Sequence, residues 1–353
     1  MTSELPALPP PMAVQRYLDP AVYEIERREI FSKEWILIGF EQQIAEVGCT
    51  ISETVGEVSV FVQRGKDNEL RGFVNVCPHR GGPMVDGPWG CRGNLVCRYH
   101  GWAFSEDGAL VSARDFGGDV PDGIGLIPIA AEVWRGMLFV NLDRNAKPLV
   151  ESLGTFPTVC EPFHWESMRF HSRSTRQVAC NWKIYAENFL ENYHIPTTHP
   201  ALARETEALK FRQRTYGDRR WNIHGAPAKE GAHMSGIFGY FWPNFSFDVF
   251  PGGFATERWF PRGHDHIELY FDYFFDDDAV DVEDMVKVSE EVADEDAHMC
   301  ELIQNNFVSG MYTPGVLSPR HENSIADFHS LVEEVITRGG PAVPGTPFPW
   351  SND

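Results

Sequence analysis

Two short ligand pairs stand out before any fold is considered. Cys77-Pro78-His79-Arg80 and Cys97-Arg98-Tyr99-His100 each offer one thiolate and one imidazole, with a Gly-rich stretch between them. Two Cys on one iron and two His on the other make up the ligand set of a [2Fe–2S] cluster of raised potential, held between two opposed loops. Gly81, Gly82, Gly87, Gly90, Gly93 and Gly101 give the backbone the freedom that tight loops need. A structural zinc site fits less well. Its ligands are usually separated by roughly two to four residues, whereas Pro78 alone separates Cys77 from His79. Cys91 lies in the same stretch without a partner at ligand spacing and reads as a small buried residue.

A second constellation begins at Asn181 and runs Asn-Trp-Lys-Ile-Tyr-Ala-Glu-Asn-Phe-Leu-Glu-Asn-Tyr-His-Ile-Pro-Thr-Thr-His-Pro. On one helix over 181–194, Glu187, Glu191 and His194 would share a face. Pro196 should end that helix, and His199 should fold back from the loop beyond it. Two histidines and one carboxylate can hold one face of a non-haem Fe(II) and leave positions open for O2 and substrate. The carboxylate is expected from a helix over 282–308, where Val288, Val292, Met299, Ile303 and Phe307 recur at helical spacing. Glu295 and Asp296 both fall on that stripe, where a carboxylate is costly unless it is paired or bound to metal. Spacing alone does not choose between them.

The first constellation, with Arg80-Gly81-Gly82 after one pair and Gly101-Trp102 after the other, resembles the Rieske signature. That resemblance implies that Cys77, His79, Cys97 and His100 hold a Rieske cluster. Residues 181–200 and the pattern Glu295-Asp296, Glu301, Gln304 resemble the catalytic domain of Rieske non-haem iron oxygenase α subunits. The resemblance therefore implies iron at His194, His199 and Asp296. It also implies a head-to-tail homotrimer, in which Glu191 relays electrons between His100 of one chain and His194 of the next. Many members have aspartate at the relay position, and those acting on quaternary ammonium compounds often have glutamate. The activity implied is that of a terminal oxygenase, performing O2-dependent hydroxylation or hydroxylative dealkylation of a small organic molecule. Electrons would come from a separate NAD(P)H reductase, directly or through a ferredoxin. An aromatic compound or aromatic acid is the expected substrate, with a quaternary ammonium compound as the alternative. A basic residue in the pocket would favour the acid, and a ring of aromatics without one would favour the cation. The rival from another class is a non-catalytic Rieske electron carrier, which would leave the histidine pair and carboxylate of the larger domain without a role.

These groups need two kinds of scaffold. From about 36 to 145, short β-rich runs such as Val58-Ser-Val-Phe-Val-Gln alternate with Gly, Pro and Asp turns, which indicates an all-β domain. Beyond it helices and strands mix. The fold expected is α+β: an all-β Rieske domain over 38–150 and a larger α+β catalytic domain over 151–353 with a central antiparallel sheet. Residues 1–37, with a helix over 20–35, should pack on the catalytic domain. Strands are expected over 237–275, and the Gly- and Pro-rich tail from Gly339 reads as loose. Trp221, Tyr240 and Trp242, in or near the aromatic-rich stretch, could wall a substrate pocket by stacking or cation–π attraction. His224 and the other remaining histidines show no competing ligand spacing.

Composition narrows the partners. The 353 residues carry 30 Lys and Arg against 51 Asp and Glu, a formal charge of −21. Such a surface repels phosphate, so nucleic acid is not expected. The sequence shows no signal-peptide pattern, and no apolar stretch approaches the ~18 residues of a membrane span. A cytoplasmic protein is expected. Seven cysteines, an odd and scattered set, argue against a disulfide scaffold. No Gly-rich nucleotide fingerprint opens a helix after a strand, so no bound NAD or flavin is expected.

Overall fold

The computed structural model describes residues 5–91, 93–207, 210–227, 229 and 236–340. The chain forms two compact units, one of Phe31–Leu153 and the other of the residues up to Ile30 together with those from Gly154 onward. The sequence-based boundaries, 37/38 and 150/151, lie seven and three residues from these divisions.

The first unit is almost entirely β. Its strands are β1 (Ile36–Phe40), β2 (Cys49–Val55), β3 (Val58–Arg64), β4 (Leu70–Val74), β5 (Trp89–Cys91), β6 (Leu95–Val96), β7 (Ala103–Phe104), β8 (Leu110–Ser112), β9 (Pro128–Trp134) and β10 (Met137–Asn141). They form one seven-stranded sheet, ordered β1-β10-β9-β4-β3-β2-β5, and a small sheet of β6, β7 and β8. β1 and β10 are buried along their whole length, as continuous apolar strands should be. Phe61, Phe73, Leu95, Trp102 and Phe104 form a core beside Cys77 and Cys97.

The second unit is built on an antiparallel sheet ordered β11-β17-β16-β15-β14-β13-β12. Its strands are β11 (Arg169–Val178), β12 (Arg212–Tyr216), β13 (Trp221–Gly225), β14 (Ile237–Phe241), β15 (Phe245–Phe250), β16 (Gly253–Pro261) and β17 (Ile267–Phe275). β16 and β17 are buried nearly throughout, because side chains cover both faces of the sheet there. The helices along the chain are α1 (Gln15–Leu18), α2 (Pro20–Glu26), α3 (Leu149–Leu153, in the first unit), α4 (Phe156–Cys160), α5 (Trp182–Phe189), α6 (Ile195–Thr198), α7 (Pro200–Glu205), α8 (Val282–Val308) and α9 (Asn323–Gly339).

Three expectations need correction. The helix over 20–35 stops at Glu26 and continues as a π-helical turn over Arg27–Phe31, which keeps Ile30 and Phe31 buried. α8 has the expected limits, but its buried residues are Met285, Ala293, Cys300 and Gln304, while Met299 is 38% exposed. Cys91 is exposed and disulfide-bonded to Cys49, its cross-strand neighbour on β2. The tail beyond Gly340 lies outside the described residues.

Three sets of contacts fix the site-bearing helices. Asn181 caps α5 by accepting from the Lys183 N–H (3.0 Å), and its own N–H donates to Gln304 Oε1 on α8 (3.1 Å). Arg176 on β11 grips α8 through Glu290 (2.8 Å) and Asp294 (2.7 Å). α5 is anchored to α2 by a fully buried ion pair, Lys183 Nζ to Glu26 Oε1 at 2.6 Å, and Trp182 Nε1 donates to the other Glu26 oxygen.

Candidate metal centres

The two ligand loops of the first unit have the same backbone design. The Gly81 N–H donates to the Cys77 carbonyl and the Gly101 N–H to that of Cys97, both at 2.9 Å. Returning bonds run from Cys77 N–H to the Gly82 carbonyl and from Cys97 N–H to that of Trp102, both at 2.8 Å. Gly81 and Gly101 both adopt positive φ, +72° and +76°, where a Cβ would be strained. Asn75 locks the first loop: its Oδ1 accepts from Met84 and Val85 N–H, and its Nδ2 donates to the Val85 carbonyl. The loops bring together the four expected residues. Cys77 and Cys97 are buried, unbonded thiols, and burial pushes the Cys77 thiol up, with its neighbour Cys97 adding to the rise. The His79 and His100 rings meet edge to face at 4.6 Å, and Trp102 stacks on His79 at 4.5 Å. His79 Nδ1 and His100 Nδ1 are buried without a hydrogen-bond partner among the described residues. Buried ring nitrogens are normally satisfied. Two orphan imidazole nitrogens beside two facing thiols fit a cluster ligated by two Cys and two His.

In the second unit α5 ends at Phe189, earlier than the helix expected over 181–194. The reason is local. The Glu191 carboxylate accepts from the Tyr193 and His194 N–H groups, which satisfies a turn that competes with helix continuation. Pro196 does not end a helix; it sits in the first turn of α6, where its missing N–H costs nothing. His194 caps the start of α6, and His199 lies between α6 and α7. Glu191 and His194 therefore meet through a turn, and Glu187 does not share a helix face with them. Glu187 instead accepts from the Tyr17 hydroxyl at 2.6 Å.

His194 Nε2 and His199 Nε2 lie 3.1 Å apart. Asp296 Oδ1 is 2.9 Å from His199 Nε2 and 3.6 Å from His194 Nε2, yet aligned for a hydrogen bond with neither. Each imidazole is oriented from behind by a carboxylate: His194 Nδ1 by Glu191 Oε1 at 2.6 Å, and His199 Nδ1 by Glu295 Oε2 at 2.8 Å. An Nδ1–H donated to a carboxylate leaves the Nε2 lone pair facing inward. Two such lone pairs and an unpartnered carboxylate oxygen converging on one point suit a cation, and these are the three ligand atoms a mononuclear iron site needs. The choice left open between Glu295 and Asp296 thus resolves geometrically: Asp296 faces the histidines, and Glu295 backs His199.

A small cavity, about 60 Å³, opens on this group. Its lining includes His224, Phe238, Asp248 and Glu257 from the sheet, with Asn188 and Val292 from α5 and α8. A larger one, about 490 Å³, also touches Glu191 and His194 and is lined by Tyr17, Met299, Phe307 and residues 312–317. Trp221, Tyr240 and Trp242 line neither. They are 1% exposed and belong to the aromatic core: Trp221 stacks on Tyr216, Tyr240 on Trp259, and Trp242 meets Trp182 and Phe328. Sequence reasoning missed His224, Asp248 and Glu257. Burial pushes the Asp248 carboxyl up to about 7. Burial and then Asp248 push Glu257 well above its ordinary range, while Tyr185 donates to it at 2.8 Å. Burial, with His194 nearby, holds the His224 imidazole down at about 3, so it is neutral.

Both units resemble domains of known proteins. Residues 34–120 match the Rieske [2Fe-2S] domain, and residues 165–338 match the ring-hydroxylating α subunit catalytic domain. The chain is 27% identical to choline monooxygenase, chloroplastic, of Atriplex hortensis, over 94% of this chain and 78% of that protein. It is also 27% identical to the carnitine monooxygenase oxygenase subunit of Escherichia coli (strain K12), over 90% and 92% of the two chains. Among solved structures, the quaternary ammonium Rieske monooxygenase CntA with L-carnitine superposes with a TM-score of 0.84 at 25% identity, covering 93% of this chain and 96% of that one. Naphthalene 1,2-dioxygenase shares the fold, with a TM-score of 0.77 at 20% identity over 94% of each chain.

Proposed function

Because the chain belongs to the Rieske non-haem iron oxygenases, as an α subunit with a [2Fe–2S] domain and a mononuclear iron domain, we propose that it oxygenates a quaternary ammonium compound. This replaces the aromatic substrate first expected from sequence. One observation carries the choice: among the described residues, neither cavity beside the His194, His199 and Asp296 group is lined by Lys or Arg. An aromatic acid would leave its carboxylate buried without a counter-charge, which is costly. The named activities of the choline and carnitine enzymes support the same class.

His194, His199 and Asp296 would hold the iron, and Cys77, His79, Cys97 and His100 the cluster. When bound, the two centres supply O2 activation and one-electron transfer. The balance is that of a monooxygenase: a substrate C–H, O2, two electrons and two protons give C–OH and water. The electrons start from NAD(P)H on a separate reductase. Glu191 and Glu295 fix the tautomer and direction of the two imidazoles. Glu191 is also the relay between subunits of a homotrimer, a role resting on the family resemblance. Among the described residues no helix is long and apolar enough to cross a membrane, and we place the protein in the cytoplasm.

The test is reconstitution with a Rieske-system reductase and NADH. Substrate-dependent O2 uptake, with a hydroxylated or dealkylated product, is expected with choline or a related trimethylammonium compound. Turnover confined to aromatic compounds or aromatic acids would refute the proposal.

A further inference from the structure

The face of the sheet turned toward His194, His199 and Asp296 is unusually polar. Two rungs of cross-strand neighbours cross it. One runs Gln213, His224, Phe238, Asp248, and the next Asn222, Tyr240, Ser246, Glu257. Gln213, Asn222, His224, Ser246 and Asp248 each keep buried side-chain atoms without a hydrogen-bond partner among the described residues. Native interiors rarely leave such groups unmatched. His224 is 2% exposed and Asn222 1%, so bulk water does not satisfy them. His224, Phe238, Asp248 and Glu257 line the cavity. Of the residues with unmatched atoms, His224 and Asp248 therefore stand on the wall of this cavity, where a bound molecule could satisfy them.

The chemistry of that molecule follows from the donors and acceptors. Asp248 Oδ1 is an acceptor without a donor. Glu257 is occupied on one oxygen by the Tyr185 hydroxyl. His224 is uncharged, and its free Nδ1 can serve a neutral polar group. Phe189 and Phe238 add aromatic surface against which a methylated ammonium packs well. A cationic head is thus matched twice, by carboxylate and by ring. A carboxylate tail has no match, because the described lining holds no Lys or Arg and already includes the carboxylates of Glu191, Asp248 and Asp296.

We propose that Asp248 forms an anionic subsite that selects substrates of net positive charge with an uncharged polar tail, such as a trimethylammonium alcohol, over zwitterions such as carnitine or betaine. This rests on the quaternary ammonium reading above and narrows it.

The test is calorimetric binding to the iron-loaded protein. The probes are choline, its uncharged isostere with carbon in place of N⁺, L-carnitine, glycine betaine and benzoate, applied to wild type and Asp248→Asn. Choline is expected to bind at least about tenfold more tightly than the isostere and either zwitterion, as befits a charge-assisted contact. Asp248→Asn should erase most of the preference for choline over its isostere while iron content and visible spectrum stay unchanged. The choline-to-isostere ratio in wild type needs no variant, so a misfolded substitution does not blunt the test. Carnitine or betaine binding as tightly as choline would overturn the selection against zwitterions and leave the quaternary ammonium reading standing. Choline binding no better than its isostere would overturn the anionic subsite. Benzoate binding in preference to all would overturn both readings.

Discussion

Removing the two carboxylates behind the histidines should weaken mononuclear iron binding unequally. Glu191 and Glu295 each accept from an Nδ1–H, at 2.6 and 2.8 Å, but their side chains are 11% and 40% exposed. Loss of such an outer partner typically costs about 10- to 100-fold in metal affinity, or about 1.4–2.7 kcal/mol. Water can replace the exposed Glu295 carboxylate, so Glu295→Ala should fall near the lower figure, about tenfold. Glu191 is more enclosed, and its other oxygen also accepts from the backbone of the turn carrying His194. Glu191→Ala should therefore approach about a hundredfold. Glu191→Gln keeps an acceptor and should recover much of the loss, a rescue that a simple packing defect would not give. The assay is iron retention against graded chelator, with the absorption of the [2Fe–2S] cluster as internal reference. Unchanged retention in both alanine variants, or a larger loss in Glu295→Ala than in Glu191→Ala, would refute the reasoning.

Other outcomes follow from the same structure. Lys183→Met leaves Glu26 charged and unpaired in a fully buried setting, and should destabilise the protein by about 3–5 kcal/mol in chemical denaturation. Adding Glu26→Gln should restore part of that loss; a double variant as unstable as the single one would count against the ion-pair account. Asn75→Ala frees the loop N–H groups of Met84 and Val85 and should speed cluster loss on dilution while leaving mononuclear iron in place. Choline affinity should fall as pH drops below about 7, because protonation of Asp248 removes its charge. The groups facing Asp248 are Glu257 and His224 on the sheet and Glu191, Asp296, His194 and His199 across the cavity. Calorimetry across pH should show this dependence in wild type and a flatter one in Asp248→Asn.

The ligand residues were legible because their chemistry lies in local spacing. Both Cys-His pairs, the two histidines near 194–199 and the carboxylate pair at 295–296 sit in short motifs, and α8 has the expected limits although its buried face is not the apolar stripe read from the sequence. What stayed hidden depends on contacts distant in sequence. The end of α5 is set by the Glu191 carboxylate competing for turn N–H groups, which helical periodicity does not register. Cys91 and Cys49 meet only through the β2–β5 register. The aromatics Trp221, Tyr240 and Trp242 are typical of pocket and of core alike, and only packing assigns them to the core. Asp248 did leave a signal: a charge alternating with phenylalanines in Phe245-Ser-Phe-Asp-Val-Phe, on a strand buried on most of its length. Read as a strand with both faces covered, that pattern would have pointed to a polar lining.

The most direct test of two centres in one chain is iron and acid-labile sulfide per chain, with EPR, on anaerobically purified wild type and His194→Ala. The expected result is about three irons and about two sulfides in wild type, and about two irons with an intact Rieske signal in the variant. About two irons in both proteins after iron-replete preparation would contradict the account, leaving an electron carrier in which His194, His199 and Asp296 are merely structural.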